Sequence, residues 1–245
     1  MTLLLIRQVL LASLVVIFTC QPLLSQESAK ERAAETSSTV PALKEFHMVI
    51  FKLWHTAWPK KDDDMLTALF PEIEQRAQAV AHAELPGILR EKKDAWRKGV
   101  EKLQAIVKEY EAAIKAKQKQ PLLDAAEKLH AQYEALVRVI RPPLRELDDF
   151  HAVLYMLYHY YMPQDSLEEV KVSVGQLEEK MAALNKVILP PRFKGKEESF
   201  TVARNQLDKA VTELAAMVRS KEFGKIKAAV EAMHTSYQAL TKVFE

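Results

Sequence analysis

The chain contains an internal repeat whose two copies are offset by 104 residues along its 245 residues. The segment that begins at Phe46, FHMVIFKLWH, recurs from Phe150 as FHAVLYMLYH. The same offset continues without gaps to the C-terminus and pairs Pro59 with Pro163. Self-similarity at one fixed period indicates a duplicated structural unit. The sequence therefore predicts two copies of one fold, at residues 41–141 and 142–245.

Composition and proline positions indicate that each copy is helical. The chain has only 5 glycines, and the region after residue 40 is rich in Ala, Leu, Glu, Lys and Gln, which favour helices. Prolines and capping residues divide the first copy into four predicted helices. These span about Pro41 to Trp58, Asp62 to Glu84, Gly87 to Gln118 and Pro121 to Ile140. Short connections predict an all-α protein of two tandem up-down-up-down four-helix bundles.

The N-terminus has the layout of an export signal. Arg7 precedes an apolar run that is short for a membrane span, so residues 1–25 predict a cleaved signal peptide and a periplasmic or secreted protein. Acylation of Cys20 is the alternative, which would make the protein a membrane-attached lipoprotein, and an uncleaved anchor is a third option. Residues 26–40 are polar and predict a flexible linker. Without another cysteine, disulfides and thiolate sites are excluded.

Charge and motifs exclude several classes of function. The net charge is +2, with acidic and basic residues interspersed rather than gathered on one face, so no nucleic-acid binding is expected. The chain also lacks a glycine-rich phosphate loop, a nucleophile elbow and a His-Glu-x-x-His zinc helix. We therefore expect a protein that is not an enzyme, with a metal-dependent oxidase as the minor alternative.

Histidine is the residue type that both copies retain most clearly. About a fifth of the aligned positions are identical, yet three of the four histidines of the first copy recur; only His82 aligns with another residue, Lys186. The candidate metal ligands are therefore His47, His55 and His130 in the first copy and His151, His159 and His234 in the second. Half-buried histidines that hydrogen-bond across the bundle would give the same pattern without any function.

Helix geometry favours particular pairs of these histidines. On a straight helix His47 and His55 would differ by about 12 Å in height and about 80° in direction, which is too far for one small ion. In an antiparallel bundle, the end of the first helix lies near the middle of the fourth. We therefore expect His55 to pair with His130, and His159 to pair with His234.

Glutamates provide possible additional ligands. Glu127 and Glu231 each precede a fourth-helix histidine by three residues, so carboxylate and imidazole share one helical face. Glu74 and Glu178 lie on the second helix of each copy, and Glu109 and Glu213 on the third. The Glu-x-x-His spacing resembles that of carboxylate-bridged di-metal bundles, but each copy has one such pair where those bundles use two.

The predicted architecture, with His130 and His234 on the fourth helix, resembles exported four-helix bundles of the cytochrome c′ and soluble cytochrome b type. That resemblance implies a haem held between the first and last helices. No Cys-x-x-Cys-His motif is present, so the haem would be non-covalent, with His55 and His130 as axial ligands. Copper, zinc or nickel would equally suit imidazole with a carboxylate.

The sequence therefore predicts a metal- or haem-binding protein for sequestration, delivery or sensing, with an unknown protein partner. The alternative is a structural or stress-related helical interaction module without a metal. The first function requires the histidines to converge inside each bundle, whereas the second would leave them scattered at the surface.

Overall fold

The computed structural model describes residues 30–220 and 223–244, and every regular element within them is helical. The all-α prediction is therefore confirmed for the described residues. The predicted signal peptide, Cys20 and the first residues of the predicted linker lie outside them. None of the helices within the described ranges is long and apolar enough to cross a membrane.

In the described part of the chain, eight α-helices follow Val40, four in each repeat of the sequence. The first repeat contains α1 Pro41–Lys52, α2 Asp63–Ala81, α3 Lys93–Lys115 and α4 Lys119–Ile140. The second contains α5 Arg145–Met156, α6 Leu167–Leu184, α7 Glu197–Ser220 and α8 Phe223–Lys242. Each helix of the second repeat begins 104 residues after its counterpart, so the sequence offset is also the offset of the structural elements.

The first helix of each repeat continues into a π-helical turn, a feature that the sequence analysis did not predict. These turns span Leu53–Ala57 and Leu157–Tyr161. The N–H of Trp58 donates to the carbonyl of Leu53, and that of Met162 to the carbonyl of Leu157, each at 2.9 Å. Such i to i+5 bonds widen the helix and often occur at functional sites. The first helix is therefore not straight as far as Trp58.

The predicted start of α2 is confirmed, whereas the end of α2 and the start of α3 differ from the prediction. Asp62 caps α2 as predicted, because its side chain accepts a hydrogen bond from a backbone N–H of the first turn. Pro71 lies within α2 without ending it, and the helix stops at Ala81 rather than near Glu84. A 3-10 segment, Gly87–Lys92, precedes α3, which therefore begins later than predicted.

The apolar side chains gather into two buried clusters. Residues of α1 to α4 form the first, and residues of α5 to α8 form the second. Consecutive helices pack against each other in both repeats, and α1 also contacts α4. Tyr155 of α5 belongs to the first cluster, so the two repeats are in direct contact. Residues 36–245 accordingly form one compact unit.

The described part of the predicted linker is partly helical and partly packed. Residues 30–35 are in a helical segment. Within the compact unit, Val40 is buried and the Ser38 hydroxyl donates to a carboxylate oxygen of Asp148 at 2.7 Å. The chain therefore contacts the folded core before α1 begins.

Candidate histidine sites

In the first repeat, α1 presents two histidines on either side of an aromatic ring. His47, Phe51 and His55 are spaced four residues apart, which places them along one face of a helix. Their ring centroids are separated by 6.1 Å from His47 to Phe51 and by 4.6 Å from Phe51 to His55. The expectation that His47 and His55 point in directions about 80° apart assumed a straight α-helix. That assumption is wrong here, because His55 lies in the π turn.

Helix α4 brings the third histidine and a tyrosine to this row. The imidazole of His130 stacks on the indole of Trp54 with 4.1 Å between the ring centroids and 6° between the planes. Tyr133, one turn further along α4, stacks on His47 at 5.2 Å. We call His47, His55 and His130 the first histidine cluster.

The second repeat reproduces this arrangement position by position. Tyr155 lies between His151 and His159, at centroid distances of 6.4 and 4.7 Å. His151 stacks on Tyr237 at 4.5 Å and His234 stacks on Tyr158 at 4.3 Å. We call His151, His159 and His234 the second histidine cluster. In the first repeat His55 thus contacts Phe51 and His130 contacts Trp54, and in the second His159 contacts Tyr155 and His234 contacts Tyr158.

The two clusters differ in exposure and lie outside the apolar cores. His47 and His55 are exposed, whereas all three histidines of the second cluster are half-buried. The space between α1 and α4 is filled by fully buried side chains such as Phe46, Leu53 and Leu129. The histidines of each repeat therefore lie on the flank of the helices, and they do not converge inside the bundle as the metal-binding prediction expected.

The imidazoles influence one another electrostatically. Burial lowers the pKa of His130, and charge on His55 and His47 lowers it further, although Glu134 opposes this effect. Burial lowers the pKa of His151 to about 4, with additional contributions from His234 and the other neighbouring cations. Because these groups remain neutral near pH 7, each keeps one ring nitrogen with a lone pair that can bind a metal ion.

The predicted glutamate ligands lie on outer faces. Glu74 and Glu178 are exposed on α2 and α6. Glu109 forms an ion pair with Lys128 at 2.8 Å, so its carboxylate is directed to a lysine rather than to a histidine. The oxidase alternative expected these carboxylates to point inward beside the histidines.

The glutamates of α4 and α8 lie closer to the clusters. Glu231 accepts a hydrogen bond from the hydroxyl of Tyr158 at 2.9 Å, and this tyrosine also stacks on His234. Both Glu231 and its counterpart Glu127 are exposed. Within residues 30–220 and 223–244, no three histidine, cysteine, aspartate or glutamate side chains converge closely enough to hold a metal ion. Any ion must therefore recruit its ligands by side-chain rotation.

A pocket lies at the same place in each repeat, between the end of the π turn and the last helix. The pocket of the second repeat has a volume of about 350 Å³ and is lined by His159, Pro163 and Glu231, among others. That of the first repeat has about 270 Å³ and is lined by Pro59 and Glu127. Pockets that enclose organic ligands have volumes of roughly 300 to 1,000 Å³, so the second-repeat pocket is near the lower end of this range and the first-repeat pocket is below it. Both volumes suit an ion or a small molecule.

Sequence reasoning missed one residue of the second cluster. Arg90 belongs to the 3-10 segment of the first repeat, yet its Nη1 lies 3.1 Å from Nδ1 of His159. The positive charge of Arg90 contributes to the lowered pKa of His159, after burial. The two residues are 69 positions apart, and no motif links them. The one sequence signal for this contact was a difference between the repeats, since Arg90 of the first aligns with Lys194 of the second.

No family model matches the chain, and neither the curated proteins nor the solved structures compared with it show a significant similarity.

Proposed function

We propose that this protein is an extracytoplasmic metal-binding protein with one histidine-based site in each repeat. His55 and His130 would provide the imidazoles of the first site, and His159 and His234 those of the second. His47 and His151 stand beside these pairs as further nitrogen donors. The observation that carries this proposal is the recurrence of one ring arrangement, with three histidines and their aromatic neighbours, on both repeats.

Several properties of the clusters suit a transition metal ion. Neutral imidazoles are preferred ligands of copper, zinc and nickel. The exposed or half-buried histidines can turn away from their stacked rings toward a shared ion, and Glu127 or Glu231 can complete the coordination from the last helix. The donor set therefore fits such an ion, with water at the remaining positions.

The same packing favours an ion over haem. A haem held between the first and last helices would have to displace fully buried side chains, including Phe46 and Leu129. It would also have to separate Trp54 from His130, whose rings are stacked. A metal ion at the flank of the helices requires neither change.

The architecture and location complete the proposal. Two separate apolar clusters and matching helix starts support a gene duplication that produced two tandem four-helix bundles. The N-terminal signal pattern supports export, with Cys20 as the candidate lipid attachment site. Sequestration, delivery or sensing of the ion, with transfer to a protein partner, would be the corresponding role.

Metal binding can be tested on purified, untagged protein by elemental analysis and by calorimetric titration with Cu²⁺, Zn²⁺ and Ni²⁺. We expect at least one of these ions to bind in a His130- and His234-dependent manner, and the double variant His130→Ala/His234→Ala to lose this binding. His82→Ala is the matched control, because His82 is exposed and belongs to neither cluster. Undiminished binding in the double variant, or no binding by the parent protein, would contradict the proposal.

A protein-interaction module is the second candidate, and one observation favours it. Met48 and Phe51 are 57% and 53% exposed on the same helix as His47 and His55. Exposed apolar side chains beside one another often mark an interaction site. A protein that binds no metal, but loses association with a native partner when Phe51 is replaced by Ser, would support this function.

A further inference from the structure

The side chain of Arg90 is held over the second histidine cluster by several contacts. Its Nη2 donates to the hydroxyl of Tyr155, and its guanidinium carbon lies 4.9 Å from the centre of the Tyr155 ring. Its Nε donates to the carbonyl of Gly87 at 3.0 Å, and its Nη1 lies 3.1 Å from Nδ1 of His159. The guanidinium of Arg90 therefore occupies a position where an aromatic face, a hydroxyl and an imidazole together bind a cation.

This contact determines the state of the His159 ring. A guanidinium has only donors, so Nδ1 of His159 must accept, and the neutral ring then carries its proton on Nε2. Neither nitrogen of His159 is thus available to an ion: Arg90 uses the lone pair of one, and a proton occupies the other. A metal ion can bind His159 through Nδ1 only after Arg90 has left.

The first histidine cluster lacks this arrangement. Phe51 stands at the position of Tyr155 and has no hydroxyl to hold a guanidinium. His55, the counterpart of His159, is exposed, and no other side chain of the described residues hydrogen-bonds to its ring. Tyr155 is only 2% exposed, whereas Phe51 is 53% exposed. The face beside the histidines is therefore open in the first repeat and covered in the second.

We propose that Arg90 is a selectivity residue that makes the two metal sites unequal, with the first open to an incoming ion and the second occupied by an internal cation. This inference rests on the proposed metal binding. The 3-10 segment that carries Arg90 belongs to the first repeat, and the neighbouring Glu91 accepts a hydrogen bond from Gln238 of the second at 3.0 Å. Because Arg90 belongs to the first repeat and His159 to the second, loading of the second site breaks this contact between the repeats.

The inference can be tested with Cu²⁺ in the full-length protein. In a His47→Ala/His55→Ala/His130→Ala background, the second cluster is the remaining histidine cluster. We expect Arg90→Gln in this background to raise the Cu²⁺ affinity about tenfold or more, as expected when a competing cation is removed. Tyr155→Phe, which introduces the side chain found in the first repeat, should act in the same direction. Lys194→Gln alters the equivalent position of the second repeat and should leave the affinity unchanged.

A second readout separates competition from a general loosening of the fold. The ¹⁵N shifts of the His159 ring should report the Nε2–H form in the parent protein and a mixture of tautomers in Arg90→Gln, while the thermal midpoint stays within a few degrees.

The outcomes distinguish the two proposals. Cu²⁺ bound with equal affinity at both clusters, or an affinity of the second cluster that Arg90→Gln and Tyr155→Phe leave unaltered, would overturn the selectivity role and leave metal binding intact. No Cu²⁺, Zn²⁺ or Ni²⁺ bound by any form of the protein would overturn the proposed function, and the selectivity role with it.

Discussion

The stability of the protein is expected to decrease in mild acid because of His151. This side chain is half-buried, stacks on Tyr237 and has its pKa lowered from 6.5 to about 4. Between those two values the unfolded chain binds a proton at this position and the folded protein does not. The unfolded state therefore binds more protons, and the free energy of unfolding must decrease as the pH is lowered through this window.

The size of this effect follows from the shift in pKa. One unit of pKa corresponds to about 1.4 kcal/mol, so the change at His151 can lower the free energy of unfolding by up to about 3 kcal/mol between pH 7 and pH 4. His130 and His159, whose pKa values are also lowered, act in the same direction. Since stabilities of single domains are about 5 to 15 kcal/mol, this loss is a large fraction of the total.

The measurement is urea unfolding in the presence of a chelator at several pH values between 7 and 4. His151→Gln should show a smaller decrease in the free energy of unfolding than the parent protein, while the contribution of the carboxylates cancels in the comparison. His47→Gln is the matched control, because His47 occupies the same position in the first repeat and is exposed. An unchanged pH dependence in His151→Gln, or an equal change in His47→Gln, would refute the reasoning.

Two further predictions concern helix stability, and the first uses the repeat as its own control. Asp62→Ala should lower the free energy of unfolding by about 1 kcal/mol, because the carboxylate accepts a backbone N–H of α2. Ser166→Ala, at the equivalent cap of α6, should have little effect, because Ser166 makes no side-chain capping bond. Gly175→Ala should stabilise α6 by about 0.5 to 1 kcal/mol, since the added methyl group meets nothing within 4 Å. Gly99→Ala should not stabilise α3 in the same way, since its methyl group would lie 2.7 Å from a carbon of buried Leu136.

Both predictions are checked by urea unfolding at neutral pH. Equal losses from the two capping variants would show that the Asp62 hydrogen bond does not stabilise the helix. A Gly99→Ala protein as stable as Gly175→Ala would show that Leu136 moves aside without cost.

The helical class, the repeat and the cap at Asp62 could be predicted because they depend on residues close together in the sequence. Periodicity, proline positions and capping side chains act within one or two turns of a helix, and a duplicated unit shows itself as recurring letters. The equivalence of His55 with His159 follows from that recurrence alone. The pairing of His55 with His130 and of His159 with His234 stays a prediction from the order of the helices.

Other features depended on contacts that only the folded chain makes. The π turns at Leu53–Ala57 and Leu157–Tyr161 arise from a shift of one residue in the hydrogen-bond pattern, which no helix propensity indicates. The exposure of Glu74 depends on how α2 is rotated against its neighbours. The contact of Arg90 with His159 joins the loop of one repeat to the helix of the other. Local sequence indicated two copies of one helical unit, and packing of one copy against the other brought Arg90 to the second histidine cluster.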